Sequence, residues 1–292
     1  MNNINCPLPS SKPHIPMNYI NMAIDNIRQG ISQKLNCIWL ETSGCFGEII
    51  ALLDGENPGL VDLLTDMVNM TFFNSIMADS GEAAYQRILD TINTDEPYLF
   101  IVSGAIPLRS DGRYAVIANY NGEIVTALDA VRTIVPRASY IIAAGTCTSF
   151  GGPTSARPNI SQAVRLDQLI DLPIINVPGC PVNPIWILGT IAHIINFGMP
   201  ELDTLNRPET FYGITIHERC PRRSFFDYGI FATEYGQPEC MFKLGCRGPI
   251  TRTTCPLTRW NESDNWPIGT NTNCIGCAGF GFPDLMEPFI RY

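Results

Sequence analysis

Tyr140-Ile141-Ile142-Ala143-Ala144-Gly145-Thr146-Cys147 is an unbroken apolar run closed by a glycine and a cysteine. Short runs of this kind read as strands buried on both faces, the pattern of a parallel sheet. Two other stretches repeat it. Leu35 to Leu40 leads into Thr42-Ser43-Gly44-Cys45, and Pro173 to Val177 leads into Pro178-Gly179-Cys180-Pro181. Pro97 to Val102 is a further strand, closed by Ser103-Gly104. In an open α/β sheet, ligands collect beyond the carboxyl ends of the strands. Cys45, Cys147 and Cys180 therefore point at one pocket. Three convergent thiolates have the chemistry of a metal or iron–sulfur site. Free cysteine is often just a small core residue, but the shared position of these three argues against unrelated buried thiols.

Helical stretches separate the strands: Met17–Gln33, Glu48–Leu53, Val61–Met70, Glu123–Ile134 ended by Pro136, and Pro184–Phe197 opened by proline. Strands alternating with helices imply parallel pairing and a three-layer sandwich. Residues 1–34 read as an N-terminal extension and 35–204 as the α/β domain. From 205 to 292 the texture changes. No long periodic segment follows His217, and six of the eleven cysteines lie there. A region with little regular structure gains stability from metal cross-links.

The chain has 292 residues, 45% apolar and only 16% charged, with net charge −9. So few charges imply a surface partly covered by a partner. No basic run is present, which argues against nucleic acid. The start lacks an apolar signal core, and Ile185 to Phe197 is too short to span a bilayer. These features predict a cytoplasmic, reducing setting, where clustered cysteines more often bind metal than form disulfides.

Two further donor sets lie in the C-terminal part. His217-Glu218-Arg219-Cys220 with Cys240 and Cys246 offers one imidazole and three thiolates, suited to zinc or to a four-iron cubane. Cys255 with Cys274-Ile275-Gly276-Cys277 offers three thiolates, two of them at C-x-x-C spacing. Spacing alone leaves structural zinc and an electron relay both open. Cys6 and Cys37 have no ligand-like spacing, and His14 and His193 have no cysteine partners.

Taken in order, these motifs resemble the small subunit of a nickel–iron hydrogenase. The resemblance runs from Trp39-Leu40 to the end, through Ala144-Gly145-Thr146-Cys147, Pro178-Gly179-Cys180-Pro181, His217-x-x-Cys220, Leu244-Gly245-Cys246-Arg247-Gly248-Pro249 and Cys274-Ile275-Gly276-Cys277. It implies a flavodoxin-like domain followed by an irregular domain rich in iron–sulfur clusters. It implies a proximal cluster on Cys45, Cys147 and Cys180, a medial 3Fe–4S cluster on Cys255, Cys274 and Cys277, and a distal 4Fe–4S cluster on His217, Cys220, Cys240 and Cys246. Pro267 stands where a fourth medial cysteine would be. The nickel–iron centre belongs to a separate large subunit, an obligate partner. Electrons pass on to an external acceptor or a further redox subunit, which can tether the complex to a membrane. A higher oligomer of heterodimers is expected.

The sequence departs from the family pattern at the proximal site. The usual C-x-x-C opening is Cys45-Phe46-Gly47-Glu48 here, as in oxygen-tolerant, high-affinity relatives with another non-cysteine residue. Glu48 is read as completing a proximal 4Fe–4S cluster, the alternative being a dipole-favoured acid at a helix start beside a 3Fe–4S cluster. Ser103 stands where many relatives carry glutamate. The subunit of a related quinone-reducing complex shares the α/β domain without the two further cysteine sets, and a zinc-stapled scaffold is the non-redox alternative.

Overall fold

The structure is a computed structural model and describes residues 14–288. Its centre is a five-stranded sheet: β1 (Leu35–Glu41), β2 (Val68–Phe73), β3 (Tyr98–Ser103), β4 (Tyr140–Ala144) and β5 (Ile175–Val177). All neighbours pair in parallel, in the order β2-β1-β3-β4-β5. That is the flavodoxin-like order of a doubly wound sheet. Alternation sorts the side chains between two cores. Cys37, Trp39, Leu99, Ile101 and Ile142 face one side, and Ile38, Leu40, Phe100, Val102 and Ile141 face the other. With both faces covered, apolar residues recur at every position, which is why these strands stand out in the sequence.

The first layer holds α1 (His14–Arg28), α2 (Gly47–Leu53) and α6 (Pro184–Phe197), and the second holds α3 (Gly81–Ile92) and α4 (Ala127–Ile134). A short helix, α5 (Gly145–Phe150), follows β4 directly. The residues expected to form an extension are tied into this body. Ile20 and Ala23 of α1 are fully buried, and Asn26 Nδ2 donates to Asn196 Oδ1 of α6 at 2.9 Å. Cys37 is buried in the sheet, and Cys6 lies outside the described residues. His193 is held within its layer, its Nδ1 3.1 Å from the Gly198 carbonyl and its ring edge-on to Tyr19 and Phe197.

Two local expectations fail. Val61–Met70 is helical only to Met67, and Val68 opens strand β2 on the sheet edge. Pairing with β1 overrides the weak helical pattern there. Glu123–Thr126 is a strand, not the first turn of a helix. It pairs with Val116–Tyr120 through Asn121-Gly122, both at positive φ, the geometry that Asn-Gly hairpin turns favour. The helix begins after Thr126, whose hydroxyl accepts from the Asp129 N–H while the Asp129 carboxylate accepts from the Thr126 N–H.

From Glu209 on, no helix among the described residues exceeds five residues. This part is fastened to the sheet domain by named contacts. Trp186 Nε1 donates to Thr258 Oγ1 at 3.1 Å, and Asn183 Nδ2 donates to the Arg259 carbonyl. Asn261 Nδ2 donates to the Ala51 carbonyl at 3.2 Å.

Candidate metal centres

The loops after β1, β4 and β5 converge beyond the carboxyl ends of their strands. Cys45 ends the first loop and is exposed; Cys147 and Cys180 are half-buried. The Thr146 N–H donates to the Gly179 carbonyl at 2.9 Å, binding the second loop to the third. Glycines keep the space between the donors open. At Gly47 a methyl group would sit 3.1 Å from Cys45 Sγ, and at Gly152 3.0 Å from Cys147 Sγ. Glu48, in the first turn of α2, points back into this space and is only 9% exposed. Its Oε1 occupies the place a Cβ at Gly145 would take, and Gly145 sits at φ +82°. Burial pushes the Glu48 carboxyl up to about 7, against its own N–H and that of Val182, with the nearby Glu41 charge adding to the rise.

Burial likewise pushes the Cys180 thiol up to about 12, with Cys277, Cys147, Cys45 and Glu48 all close enough to add to the effect. Cys147 is raised by burial and lowered by Thr154, whose hydroxyl donates to its sulfur at 3.2 Å. Ser103 is buried at the end of β3 and accepts from Trp39 Nε1 at 3.1 Å.

His217, Cys220, Cys240 and Cys246 line one cavity, together with Arg222 and Met241. The sulfur of Cys246 accepts from the Gly248 N–H at 3.4 Å. Burial pushes Cys220 up to about 11 and raises Cys240 and Cys246, while the Arg222 guanidinium lowers all three. Arg222 is buried and fixed by the Gln237 and Glu239 carbonyls at 2.8 and 3.0 Å. It is a member of the site that the sequence motifs do not reveal; its only signal is its place two residues after Cys220. His217 is held below the usual histidine range, first by burial and then by the Arg223 charge, which keeps the imidazole neutral and able to donate a lone pair.

Cys255, Cys274 and Cys277 lie between these two sets. Cys274 is buried among Trp266, Ile268 and Leu244, with Cys246 and Cys255 packed against the same cluster. Pro267 sits exposed between Trp266 and Ile268. Burial pushes Cys255 up to about 12, with the Cys277 thiol adding, and raises Cys274 and Cys277. Hydrogen bonds join the three sets in a row. Thr146 Oγ1, beside Cys147, donates to the Cys277 carbonyl at 2.5 Å. The Arg247 N–H donates to the Cys274 carbonyl at 2.7 Å.

This chemistry fits polynuclear metal centres. Thiols raised this far do not ionise beside one another without a cation to hold the charge. The donors are sulfur and imidazole, with one carboxylate, the set that iron–sulfur clusters use. Among the described residues, no three His, Cys, Asp or Glu side chains gather closely enough to grip one ion.

The chain is 34% identical to the periplasmic NiFeSe hydrogenase small subunit of Desulfomicrobium baculatum, over 88% of this chain and 87% of that one. It belongs to the nickel–iron hydrogenase small-subunit family. Residues 212–290 match the family described as the C-terminal part of the NiFe/NiFeSe hydrogenase small subunit. Residues 45–194 match the family described as the 20 Kd subunit of NADH ubiquinone oxidoreductase. The quinone-reactive Ni/Fe-hydrogenase small chain of Wolinella succinogenes is 35% identical over 89% of this chain and 74% of its own length. Among solved structures, the recombinant NiFeSe hydrogenase from Desulfovibrio vulgaris Hildenborough superimposes with a TM-score of 0.84 at 30% identity, covering 89% of this chain and 98% of that one. As a hydrogenase small subunit, the chain is part of an oxidoreductase and pairs with a hydrogenase large subunit, where the nickel–iron centre lies. No helix among its described residues is long and apolar enough to cross a membrane.

Proposed function

We propose that this chain carries electrons between the large-subunit hydrogen site and an external acceptor along three iron–sulfur centres. Cys45, Glu48, Cys147 and Cys180 would hold a proximal 4Fe–4S centre. Cys255, Cys274 and Cys277 would hold a medial 3Fe–4S centre. His217, Cys220, Cys240 and Cys246 would hold a distal 4Fe–4S centre. When bound, such clusters take up and release single electrons.

The residues of the chain supply the rest. The strand-end loops fix the proximal donors at the switch of a rigid sheet. Glu48 offers an oxygen donor where the family places sulfur, and a harder donor shifts the potential of the centre. Arg222 supplies positive charge to the distal thiolates, and hydrogen bonds to the sulfurs tune their potentials. The 205–292 segment is the unit that carries the medial and distal sets, and 35–204 carries the proximal one.

The observation that supports this reading best is the hydrogen-bonded row of three donor sets. The exposed apolar residues beside Cys45, namely Phe46, Ile50 and Leu53, support burial of the proximal end against the large subunit. We also place the complex on the cytoplasmic side, with its acceptor there, as a higher oligomer of heterodimers. Anaerobic purification tests all of this. The expected result is a nickel-containing large subunit in the purified complex, and iron and acid-labile sulfide in the small subunit that are reduced under hydrogen. A colourless complex with zinc in place of iron would refute the relay. Cell fractionation and mass photometry test its location and assembly.

A further inference from the structure

The three cysteines of the middle set are not equivalent. Cys274 turns toward the distal set: its carbonyl accepts from the N–H of Arg247, next to Cys246, at 2.7 Å. Cys255 bonds within its own loop, its N–H donating to Thr253 Oγ1 at 3.3 Å. Cys277 alone is gripped by a strand-end loop. Thr146 Oγ1 donates to its carbonyl at 2.5 Å, and its thiol lies close enough to Cys180 for the two charges to oppose each other.

Thr146 is an unusual donor. Threonines near a helix start commonly spend their hydroxyl on their own backbone. Ser149 does so, donating to the Ala143 carbonyl at 3.0 Å, while Thr148 divides between the Ala144 carbonyl at 3.1 Å and the Gly104 carbonyl at 2.8 Å. Thr146, 1% exposed and next to Cys147 in the chain, reaches across 131 residues instead. Its N–H is held by Gly179, next to Cys180. Thr146 therefore ties two proximal loops and the middle set at one point.

We propose that Cys277 is the crossing point at which electrons pass between the strand-end centre and the C-terminal centres, and that Thr146 is the positioning residue that keeps it there. The inference rests on the relay reading above. One electron is lost on the Cys180 side and one is gained on the Cys277 side. No covalent bond forms or breaks and no proton moves, since the Thr146 hydroxyl keeps its hydrogen.

The test compares Thr146→Val, which replaces the hydroxyl by a methyl of similar shape, with Thr146→Ser, which keeps the donor. Both are made in the complete complex, with iron and sulfide counted first. Each complex is then mixed with hydrogen, freeze-quenched and read by electron paramagnetic resonance for the arrival of the electron at the middle set. The expected result is a several-fold slower arrival in Thr146→Val at full iron content, with the wild-type rate restored in Thr146→Ser. Wild-type arrival in a fully loaded Thr146→Val complex would overturn the proposal. Loss of iron from the middle set in Thr146→Val would also overturn it, by making the hydroxyl a structural staple. Absence of reducible iron from the wild-type complex would instead bring down the relay reading beneath it.

Discussion

Changing Glu48 to glutamine separates a ligand from a bystander. The structure buries this carboxyl among thiols and raises it from an ordinary 4.5 to about 7. At about 1.4 kcal/mol per pH unit, ionising it in the folded chain without a cation costs about 3 kcal/mol. The sign follows from the raised value. Without metal, the stability it contributes is fully present below 4.5 and is lost as the pH rises through 7. Iron bound to the carboxylate would offset that cost and leave no proton to titrate. In the anaerobic complex, the proximal paramagnetic signal and its potential should therefore stay constant between about pH 6 and 8. Glu48→Gln should alter both while leaving the medial and distal signals in place. The reasoning is refuted if the wild-type proximal signal titrates with a midpoint near 7 and Glu48→Gln abolishes that titration without changing the iron count. Glu48 would then be a free carboxyl beside a three-cysteine centre.

Three other outcomes follow from the same geometry. Asp203→Asn should lower the melting temperature of the complex, because it strips the buried Arg207 guanidinium of a partner held at 2.7 Å; breaking one side of a buried pair costs about 3–5 kcal/mol. Burial alone would raise the Asp203 carboxyl, but bonds from Arg207 and two backbone N–H groups bring it below its ordinary 3.8. Its contribution is accordingly present above 3.8 and lost as the pH falls through the lower folded value, which acid unfolding of wild type and variant can compare. Cys255→Ser should remove the medial signal and its iron while the proximal and distal signals persist, since Cys255 packs with the middle set and bonds to neither neighbouring set. Ile50→Asp, on the exposed side of α2, should reduce copurification of the large subunit without reducing iron at the medial and distal sets.

Four of the five sheet strands were legible because both their faces are buried, which leaves an uninterrupted apolar run. β2 was not. It is an edge strand with Asn69 exposed, and it continues an apolar stretch that begins as helix at Leu60. The Val116–Thr126 hairpin was hidden because Glu123–Ile134 reads as one amphipathic period, although Asn121-Gly122 and the Thr126-x-x-Asp129 cap both mark the break. At the sites, cysteine chemistry made the donor sets visible before any fold was known. Arg222, Thr146 and Thr154 were invisible, because arginine and threonine are common and their roles here depend on contacts up to 131 residues away. The direction of Glu48 was equally hidden: it depends on Gly145 holding a backbone angle that leaves room for a carboxylate.

Cys45 stands open to solvent beside the exposed side chains of Phe46, Ile50 and Leu53. If the large subunit docks on this face as proposed, iron and sulfide would enter before it is sealed, and maturation would precede docking. An empty, unaccompanied chain meanwhile presents a thiol to oxidants and a sticky surface to its neighbours. On that order, the time the empty chain spends unaccompanied would set its exposure to oxidation and aggregation.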